Sequence, residues 1–262
     1  MLPFEPDAAL NIVREAAQMA LELRGRVAVE IKPDNTFVTA ADRQLEAFLH
    51  ERLGALAPTY SFLGEETGLT GDADAPCWVI DPIDGTNNFV RDIPLWCISV
   101  GLVAQGRSIF GIIAVPEQNE MYWATQGEGA WREKSGKKTA LHVVDNPTLM
   151  HEDLIACNTD VERSVDFSGV RCCLRNLGSV AYHLACLARG SATATIAHKH
   201  KLYDIAGGMC ICIEAGCVAR YLDGSEWIAK VTSSTEQSPL LIAAPQTLDV
   251  LLNSLKLKEL KD

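Results

Sequence analysis

The chain has 262 residues, 48% of them apolar, and a formal net charge of −11, so it carries enough apolar material for one large domain or two lobes sharing a core. That charge excludes a nucleic-acid surface, which needs a basic stripe dense enough to displace counterions from phosphates. The densest basic runs, Lys134 with Lys137 and Lys138 and the tail Lys256, Lys258 and Lys261, are broken by Ser-Gly or by acids and read as a hairpin tip and a solvated helix face.

A first helix is predicted over "AALNIVREAAQMALELRG" behind Asp7, where Leu10, Val13, Ala17, Ala20 and Leu21 share one face and Gly25 supplies a stop. A second runs from about Ala40 to Leu53, with Leu45, Phe48, Leu49 and Leu53 as its stripe and Gly54 as the residue that ends it. Strand-like runs follow, "TYSFL", "CWVI", "WCISVGLVA", "SIFGIIAV" and "EMYWAT", with "EKSGKK" as a hairpin tip. Together these predict an α+β lobe over 1–140 with a largely antiparallel sheet. From about residue 140 the order changes to strand "LIAC", helix "SVAYHLACLARG", strand "TATIA", helix "YDIAGGMCICIEAG", a hairpin at Asp223 and Gly224, strand "PLLIAA" and a helix from Thr247. That alternation predicts an α/β lobe over 141–262 with a mixed sheet.

The cysteines, Cys77, Cys97, Cys157, Cys172, Cys173, Cys186, Cys210, Cys212 and Cys217, are nine in number and fall mostly in apolar runs without a C-x-x-C pair. Free thiols and no structural zinc are expected. The start "MLPFEPDAALNI" has no basic segment leading into an apolar one, and no uninterrupted apolar run approaches the ~18 residues of a membrane span. A cytoplasmic setting without a membrane partner is the expectation.

The chemistry is concentrated in acids. "WVIDPIDGTNNF" at 78–89 places Asp81 and Asp84 at the end of an apolar run, where two buried carboxylates need a cation between them. "FLGEET" ends a strand in Glu65 and Glu66, "VTAAD" puts Asp42 in the first turn of the second helix, and "KLYDIAGG" opens a helix with Asp204. Oxygen-only ligands of this kind suit Mg²⁺, and two such ions sharing a carboxylate make a site for in-line attack on phosphorus. Each acid also has a local reading: Asp42 as the third helical residue of a capping box with Thr39, Asp204 as a helix cap, Glu65 and Glu66 as a solvated strand end, Asp84-Gly85 as a turn. Their combination favours the metal site. Gly85 and Thr86 follow at once and can aim N–H groups at a phosphate.

These stretches resemble the inositol monophosphatase family of lithium-sensitive, Mg²⁺-dependent phosphatases: "GEET" at 64–67, "WVIDPIDGTNNF", "YDIAGG" followed by "EAG" at 203–216, and "KPDNTFVTAADRQLE" at 32–46 stand in the family's order. The resemblance implies a layered α-β-α-β-α sandwich, hydrolysis of a small phosphorylated metabolite by metal-activated water, two to three Mg²⁺ per subunit, and a homodimer. It implies that Glu65, Asp81 and the Ile83 carbonyl hold one ion, that Asp81, Asp84 and Asp204 hold a second, and that Glu65 contributes to a third. Glu66 would support these ligands, Asp84, Gly85 and Thr86 would meet the phosphate, and Asp42 would hydrogen-bond Thr86 in water activation.

One departure concerns the substrate. Where inositol-specific members carry a glutamate seven residues before the helix-opening aspartate, this chain has Ala197, followed by His198, Lys199, His200 and Lys201. The runs "KPDNTFVTAADR" and "NNFVRDIPLW" are similar to histidinol-phosphate phosphatase-like members, while a basic loop suits a second phosphate, as in fructose 1,6-bisphosphate or a 3'(2'),5'-bisphosphate nucleotide. A member without activity that binds other proteins is the alternative of a different class. All five carboxylates Glu65, Glu66, Asp81, Asp84 and Asp204 are present, which weighs against it.

Overall fold

The computed structural model describes residues 2–26, 29–31 and 37–258; Lys261 and the 32–36 part of the "KPDNTF" stretch lie outside the described residues. Helix α1 (Pro6–Leu23) starts on a proline, whose missing N–H costs nothing in a first turn, and is followed by the short pair β1 (Val29–Ile31) and β2 (Phe37–Thr39). Helix α2 spans Ala40–Leu56, three residues beyond the expected end. Gly54 does not stop it, because the glycine sits inside the helix against the Phe62 ring and the chain leaves the helix at Ala57.

Eight strands form the first sheet, in the order β10-β9-β8-β7-β6-β5-β3-β4. They are β3 (Ser61–Gly64), β4 (Gly68–Thr70), β5 (Cys77–Asp84), β6 (Cys97–Ala104), β7 (Arg107–Val115), β8 (Glu120–Thr125), β9 (Ala130–Lys134) and β10 (Lys137–Leu141), with the short helix α3 (Thr86–Val90) between β5 and β6. All neighbours run antiparallel except β3 and β5. The expected hairpin tip joins β9 to β10 at Ser135 and Gly136, both in the left-handed region.

Past β11 (Leu154–Cys157) come α4 (Val161–Ser164), β12 (Val165–Asp166), β13 (Cys173–Arg175), α5 (Val180–Ala188), β14 (Ala194–Ala197), α6 (Leu202–Glu214), β15 (Val218–Tyr221), β16 (Leu240–Ala243), α7 (Pro245–Ser254) and β17 (Lys256–Leu257). The second sheet, β13-β11-β14-β16-β15, is mixed: β11 runs parallel to both its neighbours and β16 antiparallel to both of its own. Helix α7 begins at Pro245, two residues before the expected start, again with proline in the first turn. Lys256 lies in a strand pairing with β12 and not on a helix face.

Apolar cores hold these layers together, and three of them mark the stacking order. Leu10, Val13, Leu45 and Leu49 of α1 and α2 pack on Trp78, Ile80 and Phe110 of the first sheet. Leu184 of α5 and Met209 of α6 lie between Ile113 and Tyr122 of that sheet and Ile242 of the second. Leu248 and Leu251 of α7 cover Ile155, Ile196 and Leu241 outside it. The architecture is the α-β-α-β-α sandwich expected from the sequence. Helix α6 rides directly on β6 and β7: a Cβ on Gly111 would run into the Gly207 carbonyl, and one on Gly101 into Ala206. This close seating fixes the height at which the first turn of α6 meets the sheet. Among the described residues no helix is long and apolar enough to cross a membrane.

Candidate functional site

Two aspartates three residues apart on a regular strand would point to opposite faces. In β5 they do not. Asp81 pairs with Ser99 and Asp84 with Cys97, so three steps on β5 oppose two on β6 and the strand bulges at Pro82–Ile83. Residues directly opposite in an antiparallel pair share a face, which puts Asp81 and Asp84 on the side of β6 occupied by Ser99 and Cys97. Ser99 donates to the Tyr203 carbonyl of α6 at 3.4 Å, so that face looks toward the first turn of α6, where Asp204 sits.

Each aspartate is held by backbone donors. Asp81 accepts from the Ile83 N–H at 3.1 Å, and Asp204 from the Lys201 N–H at 2.7 Å, capping its own helix. Asp84 reaches across to the start of α5, accepting from Ser179 Oγ at 2.7 Å and from the Ala181 N–H. Ser179 also caps α5 through the Tyr182 N–H at 3.0 Å. Sequence reasoning missed Ser179, although a serine heading "SVAY" is a helix-start signal.

Electrostatically the cluster is strained. Burial first, then the charges of Glu65, Asp84, Asp204 and Asp42, push the Asp81 carboxyl well above the usual range. Burial raises Asp84 to about 7 against the lowering hydrogen bonds from Ser179 and Ala181. Asp204 is raised too, by burial and then by Asp84. Burial and the charges of Glu65, Asp204 and Asp81 keep the Tyr203 phenol protonated. Among the described residues no group of three or more Asp, Glu, His or Cys side chains is arranged to hold a metal ion. The donor chemistry nevertheless suits a hard cation, being oxygen only and mutually repelling.

Asp42 caps α2 and also lies near Thr86. Its Oδ2 accepts from the Thr39 N–H at 2.7 Å and the Thr39 hydroxyl at 2.6 Å, while Oδ1 lies 3.4 Å from Thr86 Oγ1. The Thr86 hydroxyl is closer to the Ile83 carbonyl, at 3.0 Å, and one hydroxyl proton serves one acceptor at a time. Gly85, at φ +94°, makes the turn into α3, and a side chain there would press on Gly178 and Leu95.

Glu65 and Glu66 follow β3 in a turn shaped by a residue that sequence reasoning left without a role. Glu46 of α2 is buried, and its carboxylate accepts from the N–H groups of Glu66 at 2.9 Å and Thr67 at 2.8 Å. A Cβ on Gly64 would strike that carboxylate. A cavity of about 550 Å³ opens beside this turn, lined by Arg43, Glu46, His50, Glu66 and Thr67 among others.

The run after Ala197 is not a uniformly solvated basic loop. Ala197, His198 and His200 are buried and Lys199 is exposed. His198 Nε2 lies 3.0 Å from Ser164 Oγ and His200 Nδ1 3.2 Å from the Ala197 carbonyl. Burial lowers both imidazoles, His200 to about 4, so at neutral pH only the lysines add charge here.

The model of the inositol monophosphatase family matches residues 6–256. The chain belongs to this family. It is 32% identical over 238 residues to the inositol-1-monophosphatase of Mesorhizobium japonicum, covering 84% of this chain and 87% of that one. It is 31% identical over 211 residues to inositol monophosphatase 2 of Saccharomyces cerevisiae, covering 72% and 71%. The solved Thermotoga maritima IMPase superposes with a TM-score of 0.79 at 26% identity over 95% of each chain. As an inositol monophosphatase family member the protein is a phosphomonoesterase, and the sandwich described above is the family's fold.

Proposed function

We propose that this phosphomonoesterase hydrolyses a small-molecule phosphate, inositol 1-phosphate-like or histidinol phosphate, in a Mg²⁺-dependent reaction. The supporting observation is the bulge in β5, which turns Asp81 and Asp84 toward the first turn of α6 and Asp204. In this reading Glu65, Asp81 and the Ile83 carbonyl hold one ion, Asp81, Asp84 and Asp204 a second, and Glu65 shares a third. Bound Mg²⁺ supplies the positive charge that a phosphate dianion needs beside these acids and lowers the cost of deprotonating water.

The remaining roles fall to the chain itself. Thr86, released from the Ile83 carbonyl, passes its hydroxyl proton to Asp42 and takes one from the attacking water. Gly85 and Thr86 turn N–H groups toward the phosphate, and Glu46 and Glu66 steady the turn that carries Glu65. The same reading divides the chain into a 1–140 lobe with most ligands and a 141–262 lobe contributing Asp204, and expects a homodimer and inhibition by Li⁺. It predicts that light scattering at micromolar concentration gives twice the chain mass.

The deciding experiment measures phosphate release from inositol 1-phosphate, histidinol phosphate, fructose 1,6-bisphosphate and adenosine 3',5'-bisphosphate, each with Mg²⁺ or with excess chelator. Release from one of the first two, abolished by chelator, is expected. Turnover confined to a bisphosphate would move the substrate assignment, and turnover undiminished by chelator would overturn the metal site. With His198 and His200 neutral, Lys199 and Lys201 are the charges that the chain after Ala197 would offer a second phosphate, so the bisphosphates belong in the panel.

A further inference from the structure

Helix α6 ends in a turn closed by two thiols. The Cys217 N–H donates to the Cys212 carbonyl at 2.9 Å and the Gly216 N–H to the Ile213 carbonyl at 3.0 Å, with Gly216 at φ +103°. These are the two backbone bonds of a Schellman end, which brings together the side chains of the residue opening the last turn and the second residue beyond the cap. That contact is commonly apolar; here it is cysteine on cysteine. Cys212 Sγ donates to the Leu184 carbonyl at 3.4 Å. Cys212 is sealed, whereas Cys217 lines a cavity of about 490 Å³ bordered by Arg107, Glu214, Arg220 and Trp227.

We propose that Cys212 and Cys217 are a two-electron redox pair, converted to a disulfide by a peroxide entering through this cavity. The Cys217 thiolate attacks one peroxide oxygen: an S–O bond forms, the O–O bond breaks, and the departing hydroxide takes the thiol's proton as water. The Cys212 sulfur then attacks the Cys217 sulfenic acid: the S–S bond forms, the S–O bond breaks, and a second water leaves with the Cys212 proton. Two thiols are oxidised and one peroxide is reduced. Its place beside Cys217 and its burial hold the Cys212 thiol protonated, with its proton directed at the Leu184 carbonyl, and Cys217 is the member of the pair on the cavity, which gives the first step to Cys217. The bond would tie the end of α6 to β15, at the far end of the helix from Asp204, so this chemistry does not depend on the proposed metal site.

Tryptic peptide 202–220 holds Cys210, Cys212 and Cys217 together. The full chain, reduced and then titrated with hydrogen peroxide, is alkylated and digested without reductant. The expected result is loss of the mass of two hydrogens from that peptide, reversed by dithiothreitol, with Cys210 alkylated. The loss should persist in Cys210→Ala and vanish in Cys217→Ala. Complete alkylation of the peptide across the titration, or a bond that disappears in Cys210→Ala, would overturn the proposal; should a variant fail to fold, fragment mapping of the unmutated chain separates the same outcomes by locating the bond at Cys212 and Cys217 or at Cys210.

Discussion

Two buried acidic centres lie on the first sheet and solve the same problem in opposite ways. Glu120, at the start of β8, is as deeply buried as Asp81, yet Arg132 and Lys134 each approach it to 2.7 Å, Arg189 to 3.3 Å, and the Tyr122 hydroxyl also donates to it. Burial pushes the Glu120 carboxyl up, but these partners outweigh it and hold it at about 2. Asp81 is surrounded instead by other acids and is driven the other way. A carboxylate whose cations are built into the fold is a structural element. A carboxylate pushed up by burial and by neighbouring acids is the kind of perturbed group that marks a candidate site.

Exchanging the charged group at each centre should therefore break different properties. Asp84→Asn should lower Mg²⁺-dependent phosphate release by on the order of 10³-fold or more with the fold intact. Glu120→Gln should leave turnover per folded molecule nearly unchanged while costing about 3–5 kcal/mol of stability, because Arg132, Lys134 and Arg189 are left crowded around a neutral group. Urea unfolding and phosphate release on the same preparations check both. An active Asp84→Asn enzyme would remove the distinction between the two centres.

Asp42 sharpens the comparison because it is both structural and placed at the acidic site. If it only caps α2, Asp42→Asn keeps an acceptor for the Thr39 N–H and turnover survives. If it takes the Thr86 proton, Asp42→Asn and Thr86→Val should each cut kcat by on the order of 10²-fold, and the double variant should fall little further, since both interrupt one path. A double-mutant cycle on kcat, with circular dichroism as the folding control, separates the outcomes. Additive losses would return Asp42 to its capping role.

Glu46 should show a smaller effect. Glu46→Ala removes the acceptor for the Glu66 and Thr67 N–H groups and loosens the turn bearing Glu65. The expected result is about a 10-fold rise in the Mg²⁺ concentration giving half-maximal rate, with Glu46→Gln recovering most of it. A fall in kcat at saturating Mg²⁺ without that rise would contradict a positioning role.

What the sequence disclosed and what it withheld follow from the range of the interactions. The layered fold was legible because helix stripes and strand runs are local patterns, and the acids because they interrupt apolar runs where a lone charge does not belong. The bulge that turns Asp81 and Asp84 to one face was not, since it depends on how β5 registers against β6. Nor were Ser179 and Glu46, which act on residues distant in sequence, or the burial of His198 and His200 within a run that reads as a basic loop. The extent of α2 past Gly54 was missed because a glycine pressed against Phe62 looks, in sequence, like one that ends a helix.

The smallest expected effect is one of pH on the metal-free protein, and here the two centres should differ in sign. Asp84 is raised to about 7, above its unfolded value near 3.9, so the folded chain binds its proton more tightly than the unfolded one. The penalty of ionising it is absent below about pH 4, grows as pH rises, and is complete above about 7. Metal-free Asp84→Asn should match the parent chain at pH 4 and exceed its stability at pH 8. Glu120 is lowered to about 2, so its stabilisation is full above its unfolded value near 4.3 and is lost as pH falls through about 2. Glu120→Gln should then be least damaging in acid and most damaging at neutral pH. Unfolding free energies of the three proteins in chelator, measured from pH 2 to 8, make the comparison. Saturating Mg²⁺ should reverse the Asp84→Asn difference at pH 8, since the bound cation stabilises the carboxylate that the metal-free fold penalises. Identical pH profiles for the parent and Asp84→Asn would mean that Asp84 bears no such strain, and the contrast with Glu120 would fail.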